Sequence, residues 1–245
     1  MDSIKKFILP LVRPLGSLVI LMIFLLHSIG YWNISLFDRL EQIAYDFRVN
    51  LTVTNEGDPQ ILIIDIDEDS LREIGQSPWP REYVADLLYL LFAEYGVSAL
   101  GFDIVFAEPD RRGASEALQN IVDRRPELAE TITPLIAEVN GDRQLGELLA
   151  QTPAVLGFYL DREPEEKTPS VGQLPKPLVI NSPLPPSLLP IPKASRFSGN
   201  QPVLQDNALS AGFFDNPLID QDGVFRRVPM IQEYNGEYYQ SLSLA

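Results

Sequence analysis

The chain has 245 residues, 45% hydrophobic and 22% charged, which suits a globular domain with its own core and excludes a disordered chain. Its formal net charge of −15 argues against nucleic acid, whose phosphates would be repelled, and against a domain lying flat on anionic lipid. There is no cysteine, so disulfides and thiolate chemistry are excluded, although this does not fix the compartment.

The first 32 residues are net positive through Lys5, Lys6 and Arg13. Leu15 to Trp32 then carries no formal charge, at the short end of what spans a bilayer core of roughly 30 Å. Tyr31 and Trp32 form an interfacial aromatic pair, and Asp38, Glu41 and Asp46 follow. The positive-inside rule therefore predicts a cytoplasmic N-terminus over 1–14, a transmembrane helix over 15–32 and an extracytoplasmic domain over 33–245. The rival is a cleaved signal peptide with its core at Leu15–Leu26 and a small-residue site at Ser28-Ile29-Gly30. Both readings export the domain. His27 is the sole histidine, so without cysteine a zinc site would need carboxylates alone.

Ile34 to Val49 shows a helical stripe, with Ser35 as its N-cap, and predicts a helix continuing the anchor as a stalk. Thr52 to Pro59 reads as a linker. Gln60 to Ile66 predicts a buried strand, Asp67 to Gly75 a helical turn, and Pro78 to Arg81 a rigid loop. Glu82 to Tyr95 predicts an amphipathic helix closed by Gly96. Val97 to Phe106 is the next strand, parallel to the first across a right-handed crossover. Ala114 to Ala150 reads as helical with interruptions near Pro126 and Gly141, and Ala154 to Leu160 as a third strand. Glu163 to Pro202 is a proline-rich surface excursion. Ser210 to Phe214 and Val224 to Tyr234 are strands around a turn at Asp220–Gly223. Asn235-Gly236 signals a hairpin, and an element begins at Tyr238. The fold class is thus α/β: a mixed, largely parallel sheet with flanking helices, preceded by one transmembrane helix. Leu100-Gly101-Phe102, Leu156-Gly157-Phe158 and Ala211-Gly212-Phe213 suggest equivalent positions in one sheet, where glycine admits a close helix backbone.

Asp65 and Asp67 fall at the end of the first expected strand and Asp103 late in the second, where an open α/β sheet forms its ligand crevice. With Glu68, Asp69, Glu108 and Asp110 nearby, they are the candidates to hold a hard divalent cation; no other cofactor is expected. The bland alternatives are helix capping by Asp67 and Asp69, backbone bonding by Asp103, and ion pairs with Arg81 or Arg226. Asp65-Ile66-Asp67 at a strand end also resembles the haloacid-dehalogenase phosphatases. The threonine that usually follows the second aspartate is missing, as is the expected lysine. A magnesium-dependent phosphohydrolase is therefore kept only as an alternative, beside a membrane-tethered assembly module. No phosphate-cradling loop or nucleophile elbow is present, and the lone histidine excludes a Ser-His-Asp triad in the domain.

One series of motifs points further. Asp46-Phe47-Arg48 is followed by Ile63-Ile64-Asp65-Ile66-Asp67-Glu68-Asp69-Ser70-Leu71, then Gly75 before Pro78-Trp79-Pro80-Arg81. Gly101-Phe102-Asp103-Ile104-Val105-Phe106, Glu108-Pro109-Asp110, Gly212 and Asp222-Gly223-Val224 with Arg226 complete it. From about Phe37 to the last residue this resembles the second type of CHASE domain, the extracellular sensory module associated with cyclases and histidine kinases. Ser77-Pro78 is a small departure. The resemblance implies a non-enzymatic sensory input domain at the cell membrane, the bacterial inner membrane. Such a domain is usually followed by further membrane helices and a cyclase or kinase output. No output domain lies in these residues, and the chain stops inside the element that begins at Tyr238, so the domain is expected to be C-terminally incomplete. The ligand-binding candidates are Asp65, Asp67, Asp103, Trp79, Arg81, Asp222 and Arg226. The expected partners are the membrane, an unidentified small-molecule, ion or protein ligand, and a second copy of the chain, with no nucleic acid.

Overall fold

The computed structural model describes residues 2–32, 34–54, 57–162, 169–179 and 189–245, with side chains from residue 14 onward. The chain divides into two compact units, Met1–Asp65 and Ile66–Ala245.

In the first unit, α1 (Asp2–Ser28) is followed by α2 (Ser35–Thr52). Among the described residues no helix is long and apolar enough to cross a membrane. The expected span of 15–32 is helical only as far as Ser28, and Gly30 takes a left-handed φ of 73°. The two helices are therefore not one continuous stalk. The break is closed by His27: the Ile34 N–H donates to its Nδ1 at 3.3 Å, and its Nε2 lies 3.6 Å from Asp38. Phe24 stacks on Phe37 with ring centroids 4.6 Å apart. The N-cap of α2 is Ile34, not Ser35, and its side chain offers no capping bond. The apolar stripe of α2 forms as its periodicity predicts, yet Leu36, Leu40, Ile43 and Phe47 are all exposed.

Gln60 to Ile66 is not a buried strand. A short apolar run becomes a strand only where a sheet edge takes up its amides and carbonyls, and here no ladder partner exists among the described residues. Ile63 is 87% exposed.

The second unit is mixed α/β. Its elements are α3 (Glu68–Ile74), α4 (Arg81–Ala93), β1 (Leu100–Gly101), α5 (Ala114–Arg124), α6 (Ala129–Glu138), α7 (Gly141–Leu149), β2 (Ala154–Asp161), β3 (Lys193–Ala194), β4 (Arg196–Ser198), α8 (Pro202–Gln205), β5 (Ser210–Phe213), β6 (Ile231–Tyr234) and β7 (Glu237–Gln240). Strand β2 is the spine. Val155 pairs with both Gly101 and Ser210, so β1 and β5 run parallel to β2 on its two edges. Strand β4 joins antiparallel at Tyr159–Asp161. A second sheet has the order β3–β6–β7, with β3 and β6 parallel. Two small mixed sheets thus replace the single, largely parallel one expected. Part of the expected surface excursion supplies β3 and β4; its residues 163–168 and 180–188 lie outside those described.

The core forms where α4 and α7 pack together over this spine. Leu88, Leu145, Leu149, Leu156, Phe158, Leu160, Leu204 and Phe213 are at most 2% exposed. Helix α4 ends as its sequence predicts: Gly96 takes a φ of 66° and the Val97 N–H closes on the Leu91 carbonyl. Two expected strands shrink because side chains replace their ladders. After β1 the Phe106 N–H bonds Asn200 Oδ1, and the run before β6 is bound up in the Asp220–Arg227 turn. The hairpin at Asn235-Gly236 is present, with φ of 52° and 83° matching the right-handed twist of β6 and β7.

The glycine–phenylalanine pattern is real at two of its three places. Gly157 pairs with Gly212 and Phe158 with Phe213, whereas Gly101 pairs with Val155. The glycines do not admit a helix. A Cβ on Gly157 would stand 2.4 Å from the Phe102 carbonyl oxygen, and one on Gly212 would stand 2.4 Å from the Leu242 backbone. Gly157→Ala is expected to lower unfolding stability by about 3 kcal/mol, as overpacking against a fixed backbone does. Gly57→Ala, which meets nothing within 4 Å, is expected to change it by less than about 0.5 kcal/mol. Urea denaturation of both variants checks this.

Candidate functional site

The motif residues between Asp67 and Arg81 are mostly committed to structure. Asp67 caps α3: its Oδ1 accepts from the Ser70 N–H at 2.8 Å and the Ser70 hydroxyl at 2.7 Å. Those bonds hold its carboxyl below the usual carboxylate range. Trp79 is half-buried and donates its indole N–H to the Gly75 carbonyl at 2.8 Å, which closes the loop ahead of α4.

Arg81 is buried, and its charge is met inside the protein. Its Nε lies 3.3 Å from Asp142 Oδ1, a coulombic contact without the angle of a hydrogen bond. Its Nη2 donates to the Glu108 carbonyl at 3.2 Å, and its guanidinium lies 4.6 Å from the centroid of the Phe106 ring, not against Trp79. Asp110, also buried, completes the knot. Its Oδ2 accepts the Arg81 N–H at 2.8 Å, and its Oδ1 accepts the N–H groups of Arg112 and Gly113 at 2.9 and 3.1 Å. The Asp110 N–H in turn donates to Asp142 Oδ2 at 2.9 Å. Arg112 reaches back to the carbonyls of Gln76 and Pro78. The Trp-Pro-Arg and Glu-Pro-Asp motifs, far apart in sequence, therefore meet in one buried joint.

Asp222 and Arg226 also meet, in a local turn. Arg226 pairs with Asp220 at 3.0 Å and Asp222 at 2.7 Å, and Arg227 pairs with Asp220 at 2.7 Å. The Arg226 and Asp220 side chains are only 8% and 7% exposed. The Arg226 guanidinium draws the Asp222 carboxyl down to about 2. The Gly223 N–H closes the turn on the Asp220 carbonyl, with Gly223 at a φ of 81°.

The remaining candidates contribute no bond to these knots among the described residues. Asp65 and Asp103 are exposed and bond nothing among the described residues. Arg81 and Arg226, considered as their ion-pair partners, are taken by Asp142 and by Asp220 with Asp222. Among the described residues no group of three His, Cys, Asp or Glu side chains could hold a metal ion.

The carboxyl ends of the parallel strands carry a different polar group. Asp215, just after β5, accepts the Leu160 N–H at 2.8 Å and the Gln232 amide at 2.8 Å. Burial pushes its carboxyl above the usual range, against those bonds and the charge of Arg162. Among the described residues, Arg162, which follows β2, has its Nε buried and unbonded, and the fully buried Gln232 has its Oε1 unbonded. Sequence reasoning named none of the three. The available signal was Gly212-Phe213-Phe214-Asp215, which repeats the glycine, phenylalanine and aspartate of Gly101-Phe102-Asp103 with one residue inserted. The arrangement places an ionisable group under desolvation stress at the strand ends where α/β sheets accept ligands.

Residues 18–245 match the family model of the CHASE2 domain. No curated protein and no solved structure matches the chain.

Two expectations follow from the buried groups. Asp142→Leu strands the Arg81 charge and is expected to cost about 3 kcal/mol or more of unfolding stability, measured by urea denaturation. Asp215 has a folded pKa above its unfolded one, so its contribution is full at low pH and is lost as pH rises through the folded value. Asp215→Asn removes that loss, and its amide can donate to a flipped Gln232. The stability of the variant relative to the wild type should therefore rise between about pH 4 and pH 7. A difference that stays flat across that range would contradict the assignment.

Proposed function

The chain belongs to the CHASE2 domain family, and from that premise we propose that it is the extracytoplasmic sensory input of a membrane-bound signal-transduction receptor. The family is one of extracellular sensory domains and is not catalytic. The match over 18–245 carries the reading. In the proposal, 15–32 is the membrane segment, 1–14 lies in the cytoplasm and 33–245 lies outside, while a cyclase or kinase output acts on the other side of the membrane. Leu18, Leu21, Met22 and Leu25 of α1 are all more than half exposed, which supports lipid contact; in water so much unpaired apolar surface would be unfavourable.

The stripe Leu36, Leu40, Ile43 and Phe47 runs along α2 at alternating spacings of four and three, the seam of a two-helix contact. It supports a second copy of the chain as partner. A sensor of this kind needs two states that a ligand can tell apart. The buried Arg81, Asp110 and Asp142 joint and the Asp220–Arg227 turn then serve as the rigid frame. Asp65 and Asp103 remain as uncommitted carboxylates for an ion or polar ligand.

The chain has no native cysteine, so single cysteines report topology cleanly. A cysteine at the exposed Glu127 is expected to react with a membrane-impermeant maleimide in intact spheroplasts, and one at Ser3 only after permeabilisation. Labelling of Ser3→Cys from outside, or protection of Glu127→Cys, would overturn the proposed orientation.

A further inference from the structure

A cavity of about 460 Å³ opens beside the amino end of β5, at the opposite end of that strand from Asp215. The volume lies in the range of small-molecule sites. Its polar lining comes from Gln173, Lys176, Gln205, Asp206, Ser210 and Gln240. The charged groups are one cation and one anion, and neither is neutralised by the other. Lys176 has no hydrogen-bond or ion-pair partner among the described residues. Asp206 Oδ1 accepts the Gln173 amide at 2.6 Å but meets no cation among the described residues.

The most informative group is Gln205, only 7% exposed. Its amide oxygen accepts from Asn200 Nδ2 at 3.3 Å, while its NH2 has no partner among the described residues. That NH2 is left open to donate to a ligand oxygen. Gln240 donates to the Ser210 hydroxyl at 2.9 Å, which leaves the Gln240 oxygen free to accept. The cavity thus offers two donors, Lys176 and the Gln205 amide, and two acceptors, Asp206 and the Gln240 oxygen.

That pattern selects among ligand classes. One carboxylate is too few for a hard cation, which takes six or more oxygens. No described lining residue is aromatic, so there is no stacking platform for a base or a sugar ring. A phosphate would meet one lysine but also the Asp206 charge. A small molecule with a carboxylate at one end and an ammonium at the other satisfies every group. We infer that the cavity binds a small zwitterion of the α-amino-acid class. Lys176 and Gln205 hold its carboxylate, and Asp206 with the Gln240 oxygen holds its ammonium. The inference rests on the sensory reading above and supplies its ligand class.

The test is thermal denaturation of the full chain in detergent, with each proteinogenic L-amino acid at millimolar concentration. Glucose, calcium chloride and magnesium chloride serve as comparison probes. At least one amino acid is expected to raise Tm, whereas its decarboxylated amine and its deaminated acid do not. Lys176→Met and Asp206→Asn alter exposed side chains, so both should keep the unliganded Tm. Each should weaken the apparent affinity for that amino acid at least tenfold. The inference is overturned if no amino acid raises Tm in the wild-type chain, or if the rise persists unchanged in both variants. A rise given only by glucose or a metal salt and indifferent to both variants also overturns it, yet leaves the sensory reading standing. That reading fails separately, on the labelling pattern.

Discussion

The second unit is organised by the need to neutralise Arg81. A guanidinium taken out of water is costly unless charge and hydrogen bonds replace its hydration. Asp142 supplies the charge, Phe106 a π face and Glu108 a carbonyl. Each of those residues is thereby fixed in place: Asp142 orients the start of α7, and Glu108 the segment leading into α5. Asp110 binds the same segment to the first turn of α4 through the Arg81 amide. Gly113 is required beside it, because a Cβ there would stand 2.6 Å from Asp110 Oδ2. One buried cation thus sets the positions of three helices around the sheet.

Strand β2 depends on that arrangement from the other side. Its buried face of Leu156, Phe158 and Leu160 needs the α4 and α7 layer, and its edges are shared among three strands. Asn200 ties the two regions together. It accepts the Phe106 N–H and donates to the Gly157 carbonyl, where the ladder of β1 has already ended. A side-chain amide thus takes over the hydrogen bonding of a sheet edge that the backbone alone leaves open.

What could be read from the residues follows the range of the forces involved. Local signals were legible: the periodicity of α4, its glycine-terminated end, the Asn235-Gly236 hairpin and the cap at Asp67 each depend on a few neighbouring residues. The Ala154–Asp161 strand was legible because it is buried on a strong apolar run. The lengths of β1 and β6 were not, because their ladders are cut short by Asn200 and by the arginines of the turn, which are distant or side-chain effects. Arg81 and Asp222 were legible as special residues, but not in their roles. The motifs flagged structural knots as readily as ligand contacts, because a buried charge and a binding charge look alike in a string of letters. Asp215, Arg162 and Gln232 escaped notice because only the convergence of two strand ends gives them significance.

The unpaired run Ile61 to Ile64 has a consequence of its own. These four consecutive branched aliphatic residues join no strand ladder among the described residues, which makes them a template on which another extended chain can stack edge to edge. Asp58 and Asp65 bracket the run, and Asp67 follows two residues after Asp65. In this position the carboxylates act as gatekeepers: in-register stacking would place like charges above one another in every layer. The acidic residues considered as ligands for a cation thus also carry the charge that disfavours such stacking.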